Sequence, residues 1–176
     1  MCIYNSFNSW GWLDTLDKNL MKNIDVNTRW LERTVPNTTL YFAYGSNINQ
    51  DQMAVRCPGA KPVAIAKCPR YKFIINGNGV ATILPEKDTD AFGILWNITD
   101  AHERALDRYE GVKFNFYTKE TVNVWVEGEK VMAMVYLATL KDAGPPRAGY
   151  LEGILEGIET FNGHKQWIND VGTWQN

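Results

Sequence analysis

The sequence predicts a small α+β fold, a mixed β-barrel of about six or seven strands with flanking helices. Three observations carry that expectation. From Thr38 onward, short runs of β-branched and aromatic residues recur between Gly, Pro and Asn breaks. Two longer runs, over residues 117–126 and 130–140, flank Glu127-Gly128-Glu129 and read as a hairpin. Helical periodicity is confined to a few short stretches. With 176 residues and 45% hydrophobic content, the chain is long enough for one well-buried core and too short for two comfortable ones.

The elements follow in chain order. Residues 1–37 form an N-terminal extension, in which Leu13, Leu16, Leu20 and Ile24 predict a short amphipathic helix over residues 14–27. That helix is expected to pack on the barrel or on a partner subunit, and Met21 is an alternative start of translation. The barrel domain occupies residues 38–176. Pro36 stops what precedes it, and the aromatic run of residues 41–44 predicts the first strand. Gly45-Ser46-Asn47 breaks that run, a helix is expected over residues 50–56, and Pro58-Gly59 ends it. Strands are expected over residues 62–67, 70–75, 80–84 and 91–97. Thr99 or Asp100 caps a helix that ends near Glu110, where Gly111 stops it. After the hairpin, Pro145-Pro146 breaks the sheet, and Leu151, Ile154, Leu155 and Ile158 mark a last amphipathic helix, with Trp167 and Ile168 packing behind it.

Composition narrows the function classes. Net charge is −2 and Lys and Arg are scattered, which gives no footprint for a nucleic acid or a membrane surface. The first residues lack the basic start and apolar core of a signal peptide, and no apolar run approaches the ~18 residues of a membrane-spanning helix. Cys2, Cys57 and Cys68, an odd number at irregular positions, make neither a disulfide framework nor a zinc site. A cytoplasmic, reduced protein, a monomer or homodimer, is the expectation.

Two places can carry chemistry. A strand, a Gly-containing turn and a helix start gather backbone N–H groups around Tyr44, Gly45 and Ser46, which is either an ordinary connection or a site for a carboxylate or oxyanion. Glu110 stands at a helix C-terminus, where the dipole disfavours a carboxylate, and Val112 and Phe114 beside it would add desolvation. It reads either as a solvated carboxylate or as a general base tuned toward neutral pH. Asp107 and Glu103, one or two turns back, are expected to face solvent. Arg56 reads as structural or as a partner for a substrate carboxylate, and His102 and His164 stand in no metal-ligand spacing.

The wording of these segments adds to the reading. Tyr41-Phe42-Ala43-Tyr44-Gly45-Ser46-Asn47, with Met53, Arg56 and Pro58-Gly59-Ala60 behind it, resembles the opening signature of the γ-glutamylcyclotransferase-like family. Gly79-Val80-Ala81-Thr82-Ile83, Phe92-Gly93-Ile94-Leu95-Trp96, Leu106-Asp107-Arg108-Tyr109-Glu110-Gly111-Val112 with Tyr117, Val135-Tyr136-Leu137, and Pro145-Pro146 through Tyr150 are similar to that family's later segments in the same order. The resemblance covers about residues 38 to 170 and implies a compact barrel with a pocket at one mouth. It also implies a ring-forming cleavage, of lyase or transferase type, in which the α-amine of a γ-glutamyl group attacks its own γ-carbonyl. The products are 5-oxoproline and a free amino acid or amine, and the reaction calls for no metal or cofactor. Glu110 is then the catalytic acid–base residue. Tyr41, Phe42, Ala43, Tyr44, Gly45 and Ser46 line the substrate site, and the Tyr136 hydroxyl contacts the substrate. The Tyr-Gly-Ser-Asn wording is similar to the branch acting on small γ-glutamyl amino acids and amines, and Asn47 argues against glutathione.

Two rivals stand beside this reading. Removal of Met1 would expose Cys2 as an N-terminal nucleophile of an amidohydrolase, although Ile3-Tyr4-Asn5 lacks the glycine such enzymes show next. A non-catalytic binding module on the same barrel is the other, since fold does not fix function.

Overall fold

The structure, a computed structural model, describes residues 37–175. The helix expected over residues 14–27 and the readings that rest on Cys2 and Met21 lie outside the described residues. Among those described, five strands close into a barrel in the order β1-β3-β2-β4-β5. They are β1 (Thr39–Ala43), β2 (Lys61–Ile75), β3 (Ala81–Ile98), β4 (Tyr117–Val126) and β5 (Glu129–Ala138). Every pairing is antiparallel except β1 with β5, which meet in parallel at Tyr41 and Met134 and close the cylinder. Four helices flank it: α1 (Gln50–Arg56), α2 (Asp100–Tyr109), α3 (Tyr150–Thr160) and α4 (Lys165–Gly172).

The α+β barrel expected from the sequence is therefore present, and the strand count of six or seven is corrected to five. Segments 62–67 and 70–75 belong to one strand, β2, and segments 80–84 and 91–97 to another, β3. The register passes from Pro69 opposite Asp90 to Tyr71 opposite Pro85, so residues 86–89 bulge out of β3. Arg70 and Asp88 take positive φ at this bend, of 60° and 63°. Such a bend lets a long strand curve round the barrel, and in sequence it looks like a break between two strands.

Alternation of side chains fills the interior. Phe42, Ile94, Leu95, Val124, Val126 and Val135 are wholly buried, each contributing roughly 1.5–3 kcal/mol by leaving water. Gly93 lies where β3 passes β1: a Cβ there would stand 2.3 Å from the Ala43 carbonyl and 2.7 Å from the Phe42 ring. The close approach is what holds the end of β1 against the barrel wall. On the outside, Leu151, Ile154 and Ile158 bury the inner face of α3. Trp167 of α4 is buried, 6.3 Å from the Phe92 ring. His164 caps α4 by accepting from the Trp167 N–H and meets Phe92 edge-on at 4.3 Å. His102 is structural too: Thr99 Oγ1 accepts from its N–H, its Nδ1 accepts from the Thr99 N–H, and its Nε2 lies 3.0 Å from the Pro58 carbonyl. Cys57 and Cys68 are buried thiols, pushed up to about 11 and about 12 by desolvation, so neither supplies a thiolate near neutral pH. No helix among the described residues is long and apolar enough to cross a membrane.

Candidate active site

At the end of β1 the chain turns through Tyr44 and Gly45 into a 3-10 turn, Ser46–Ile48, and then into α1, whose first turn Asn49 caps by accepting from the Gln52 N–H at 3.1 Å. A Cβ on Gly45 would meet Ala81 Cβ and the Tyr150 hydroxyl at 3.2 Å each, so the turn lies tight against β3 and α3. This geometry aims Asn47 inward, where it is buried. Its Nδ2 donates to Glu110 Oε1 at 2.9 Å and to the Tyr41 hydroxyl at 2.8 Å. Its Oδ1 accepts from Arg56 Nη1 at 2.5 Å.

Arg56 anchors the other end of that chain. Nη1 also reaches Ser46 Oγ at 3.0 Å, and Nη2 donates to Gln52 Oε1 and the Tyr109 hydroxyl, each at 2.5 Å. Its guanidinium carbon lies 3.8 Å from the centre of the Tyr109 ring. Arg56 is thus structural: it fixes the amide of Asn47, which fixes the carboxylate of Glu110.

Glu110 arrives from the opposite side, as the C-cap of α2. Gly111 follows with φ 66°, a left-handed conformation that glycine adopts without penalty. A Cβ on Gly111 would also stand 2.6 Å from the Phe116 ring. The helix therefore stops at Glu110, and its carboxyl group turns into the barrel mouth. Desolvation raises its pKa to about 7, against the lowering effects of the Asn47 hydrogen bond and the Arg56 charge. Burial wins because the carboxylate faces the rings of a tyrosine-rich wall. The expected contribution of Phe114 is corrected: that ring is 70% exposed and does not line the cavity that holds Glu110.

The mouth encloses a cavity of about 550 Å³. Tyr41, Tyr44, Tyr109, Tyr117, Tyr136 and Tyr150 line it together with Gly45, Ser46, Asn47 and Glu110. Of the residues expected at the site, Phe42 and Ala43 are buried in the barrel and do not line the cavity. The ring of Tyr136 lines the wall, but its hydroxyl donates to Asp107 Oδ1 at 2.7 Å. Asp107 and Glu103 are consequently not free in solvent: both pair with Lys119, at 3.0 Å and 2.5 Å. Tyr44 donates to the Tyr136 carbonyl and Tyr117 to the Ala81 carbonyl at 3.0 Å. A larger groove of about 720 Å³ runs between the β2 bend and Trp125, but its one carboxylate, Glu86, is exposed.

Two participants escaped the sequence reading. One is Asn47, considered there only as a mark of substrate class. The other is Tyr150, the first residue of α3, whose hydroxyl accepts from the Ala81 N–H at 3.0 Å and lies against the backbone of Ser46. The Ala81 N–H occupies one lone pair, and the hydroxyl keeps its own proton to donate. Burial pushes Tyr150 up to about 12, so it stays neutral. Its place at the end of the Pro145-Pro146 segment was the available signal.

The Asn47–Glu110 bond has a direct test. Asn47 stabilises the ionised carboxylate, so its removal raises the pKa further. A ¹³C NMR titration of the Glu110 carboxyl should show a midpoint near 7 in the wild type and a clearly higher one in Asn47→Ala. An unchanged midpoint would mean that Asn47 does not hold the carboxylate.

A tyrosine-walled cavity on the barrel and a glutamate poised near neutral pH define a small-molecule pocket fitted for general acid–base chemistry. Comparisons with known proteins carry this further. A family model described as AIG2-like matches residues 90–166. Human gamma-glutamylcyclotransferase is 30% identical over 131 residues, covering 68% of this chain and 70% of that protein. The mouse protein of the same name is 29% identical over 133 residues, covering 69% and 71%. A solved structure of a gamma-glutamyl cyclotransferase superposes with a TM-score of 0.73 at 25% identity, over 78% of this chain and 88% of that one. The chain belongs to the γ-glutamylcyclotransferase-like family.

Proposed function

We propose that this protein cleaves γ-glutamyl amides by cyclisation, giving 5-oxoproline and a free amino acid or amine. The observation that carries the reading is Glu110, a carboxyl group raised to about 7 and held by Asn47 at the wall of the cavity beside the Tyr-Gly-Ser-Asn turn. In the reaction, ionised Glu110 takes a proton from the substrate α-ammonium. The freed amine attacks the γ-carbonyl carbon, a C–N bond forms, and the carbonyl oxygen takes up negative charge. As that tetrahedral intermediate collapses, the original amide C–N bond breaks, Glu110 returns its proton to the departing nitrogen, and the ring nitrogen gives up its second proton, which ends on the released amine as its ammonium. No water is consumed.

Proximity supplies much of the rate, because nucleophile and electrophile belong to one molecule. The protein's tasks are to hold the γ-glutamyl group, relay protons from the attacking to the departing nitrogen, and stabilise the oxyanion. The backbone around Gly45 and Ser46 and the Tyr150 hydroxyl are the donors suited to the first and third of these tasks, holding the substrate carboxylate and stabilising the oxyanion. A carboxylate near 7 is divided between its two forms at neutral pH, which suits a group that must act first as base and then as acid.

The γ-glutamyl half is held tightly and the leaving group more loosely, so single γ-glutamyl amino acids or amines should precede glutathione. Competition kinetics on γ-glutamyl-alanine and glutathione, with 5-oxoproline as readout, test both points. The expected result is 5-oxoproline formation with γ-glutamyl-alanine preferred. Preference for glutathione would overturn the substrate assignment, and binding of both without product would favour a non-catalytic barrel.

A further inference from the structure

Two features of the cavity rim are not used by the chemistry above. Phe116 lines the cavity and is 63% exposed. Its ring packs where a Gly111 Cβ would be and lies 6.1 Å from the ring of Phe114, itself exposed. An exposed apolar ring next to the residue that follows the base is surface that a ligand gains by covering. Across the same mouth stands Arg147. Its Nε donates to the Asn78 carbonyl at 2.7 Å, and its stem packs where a Gly79 Cβ would stand 2.7 Å from Cγ. Among the described residues it pairs with no carboxylate, and its charge acts on Tyr117, the neighbour of Phe116. Arg56, by contrast, has both terminal nitrogens committed, to Ser46 and Asn47 and to Gln52 and Tyr109. Arg147 is the cation on the cavity lining with donors to offer.

Resting on the cyclisation reading, we propose that Arg147 and Phe116 select the leaving group: an α-amino acid whose free carboxylate pairs with the Arg147 guanidinium and whose bulky apolar side chain covers the Phe116 ring. The γ-glutamyl head must sit inside, against Glu110, for its proton to be taken. What projects to the exposed rim is the departing amino acid, and there a planar guanidinium matches a carboxylate in two-point geometry. This narrows the substrate class to carboxylate-bearing amino acids over bare amines, and to apolar side chains over alanine.

The test compares kcat/KM for γ-glutamyl-phenylalanine, its C-terminal amide and γ-glutamyl-alanine. The wild type should favour the acid over the amide, and phenylalanine over alanine, by about tenfold each. Arg147→Gln should bring the first ratio close to one and keep the second, and Phe116→Ser should do the reverse. Because Arg147 also braces the turn at Asn78, Arg147→Lys is the second variant, and it should retain most of the acid preference. Ratios unchanged in both Arg147→Gln and Phe116→Ser, or no wild-type preference for acid over amide, would overturn the inference while cyclisation stands. Absence of 5-oxoproline from all three peptides would remove the cyclisation reading, and this inference with it.

Discussion

Replacing Glu110 with glutamine should abolish cyclisation, lowering kcat/KM by about 10²–10⁴-fold, while the barrel stays folded. Glutamine fills the same volume and can still meet the Asn47 amide, but it cannot accept the ammonium proton. A variant that kept more than about a tenth of the wild-type rate, a loss of only ~1.4 kcal/mol, would refute the assignment of Glu110 as base. The same substitution should change stability with a definite sign. The Glu110 carboxyl titrates near 7 in the folded protein, against 4.5 for an ordinary glutamate. Between those values the folded state binds more protons than the unfolded one. The stabilising contribution of the protonated acid is complete below about 4.5 and is lost as pH rises through about 7. Glu110→Gln carries no such penalty, so it should gain on the wild type as pH rises, by up to about 3 kcal/mol. Denaturation midpoints at about pH 5 and about pH 8 read this difference. A stability difference between variant and wild type that stays the same from about pH 5 to about pH 8 would contradict the raised pKa.

Gly93→Ala should be the most damaging small substitution in the barrel. The new methyl would meet the Ala43 carbonyl at 2.3 Å and the Phe42 ring at 2.7 Å, and neither a backbone oxygen in a strand nor a buried ring has room to retreat. Overpacking of this kind costs about 3 kcal/mol, which for a domain of this size lowers Tm by roughly 10 °C. The end of β1 must move to admit it, and β1 carries Tyr41 and leads into Gly45, Ser46 and Asn47. Activity in the folded fraction should therefore fall as well, through loss of the Asn47–Glu110 contact. A Tm within about 2 °C of the wild type would show that β1 and β3 are not held at the separation described.

What the sequence made legible was local. The strand-to-helix turn at Gly45, helix α1, the stop at Gly111 and the β4–β5 hairpin each depend on residues a few positions apart, and each lies where composition and turn chemistry placed it. Glu110 could be singled out because a carboxylate at a helix C-terminus opposes the dipole. The long strands β2 and β3 were hidden because Pro69-Arg70 and the segment from Pro85 to Asp88 read as ends of strands, whereas in the barrel they are bends within them. The network around the base was hidden for another reason. Asn47 and Glu110 are 63 positions apart, Arg56 and Tyr109 53 apart, and Tyr136 and Asp107 29 apart, and no periodicity relates them. Side-chain direction was equally out of reach. Phe114 next to a base looks like desolvation in sequence yet points to solvent, and the burial is supplied by tyrosines from five separate segments.

The most direct test of the central claim is the fate of the γ-glutamyl group in isotopically labelled water. Purified protein is incubated with γ-glutamyl-alanine in H₂¹⁸O, and the products are identified by mass spectrometry. Intramolecular attack predicts 5-oxoproline and alanine in equal amounts, with no ¹⁸O in either and none formed by Glu110→Gln. Glutamate carrying ¹⁸O would show that water, not the substrate's own amine, attacks the γ-carbonyl, and would contradict the mechanism.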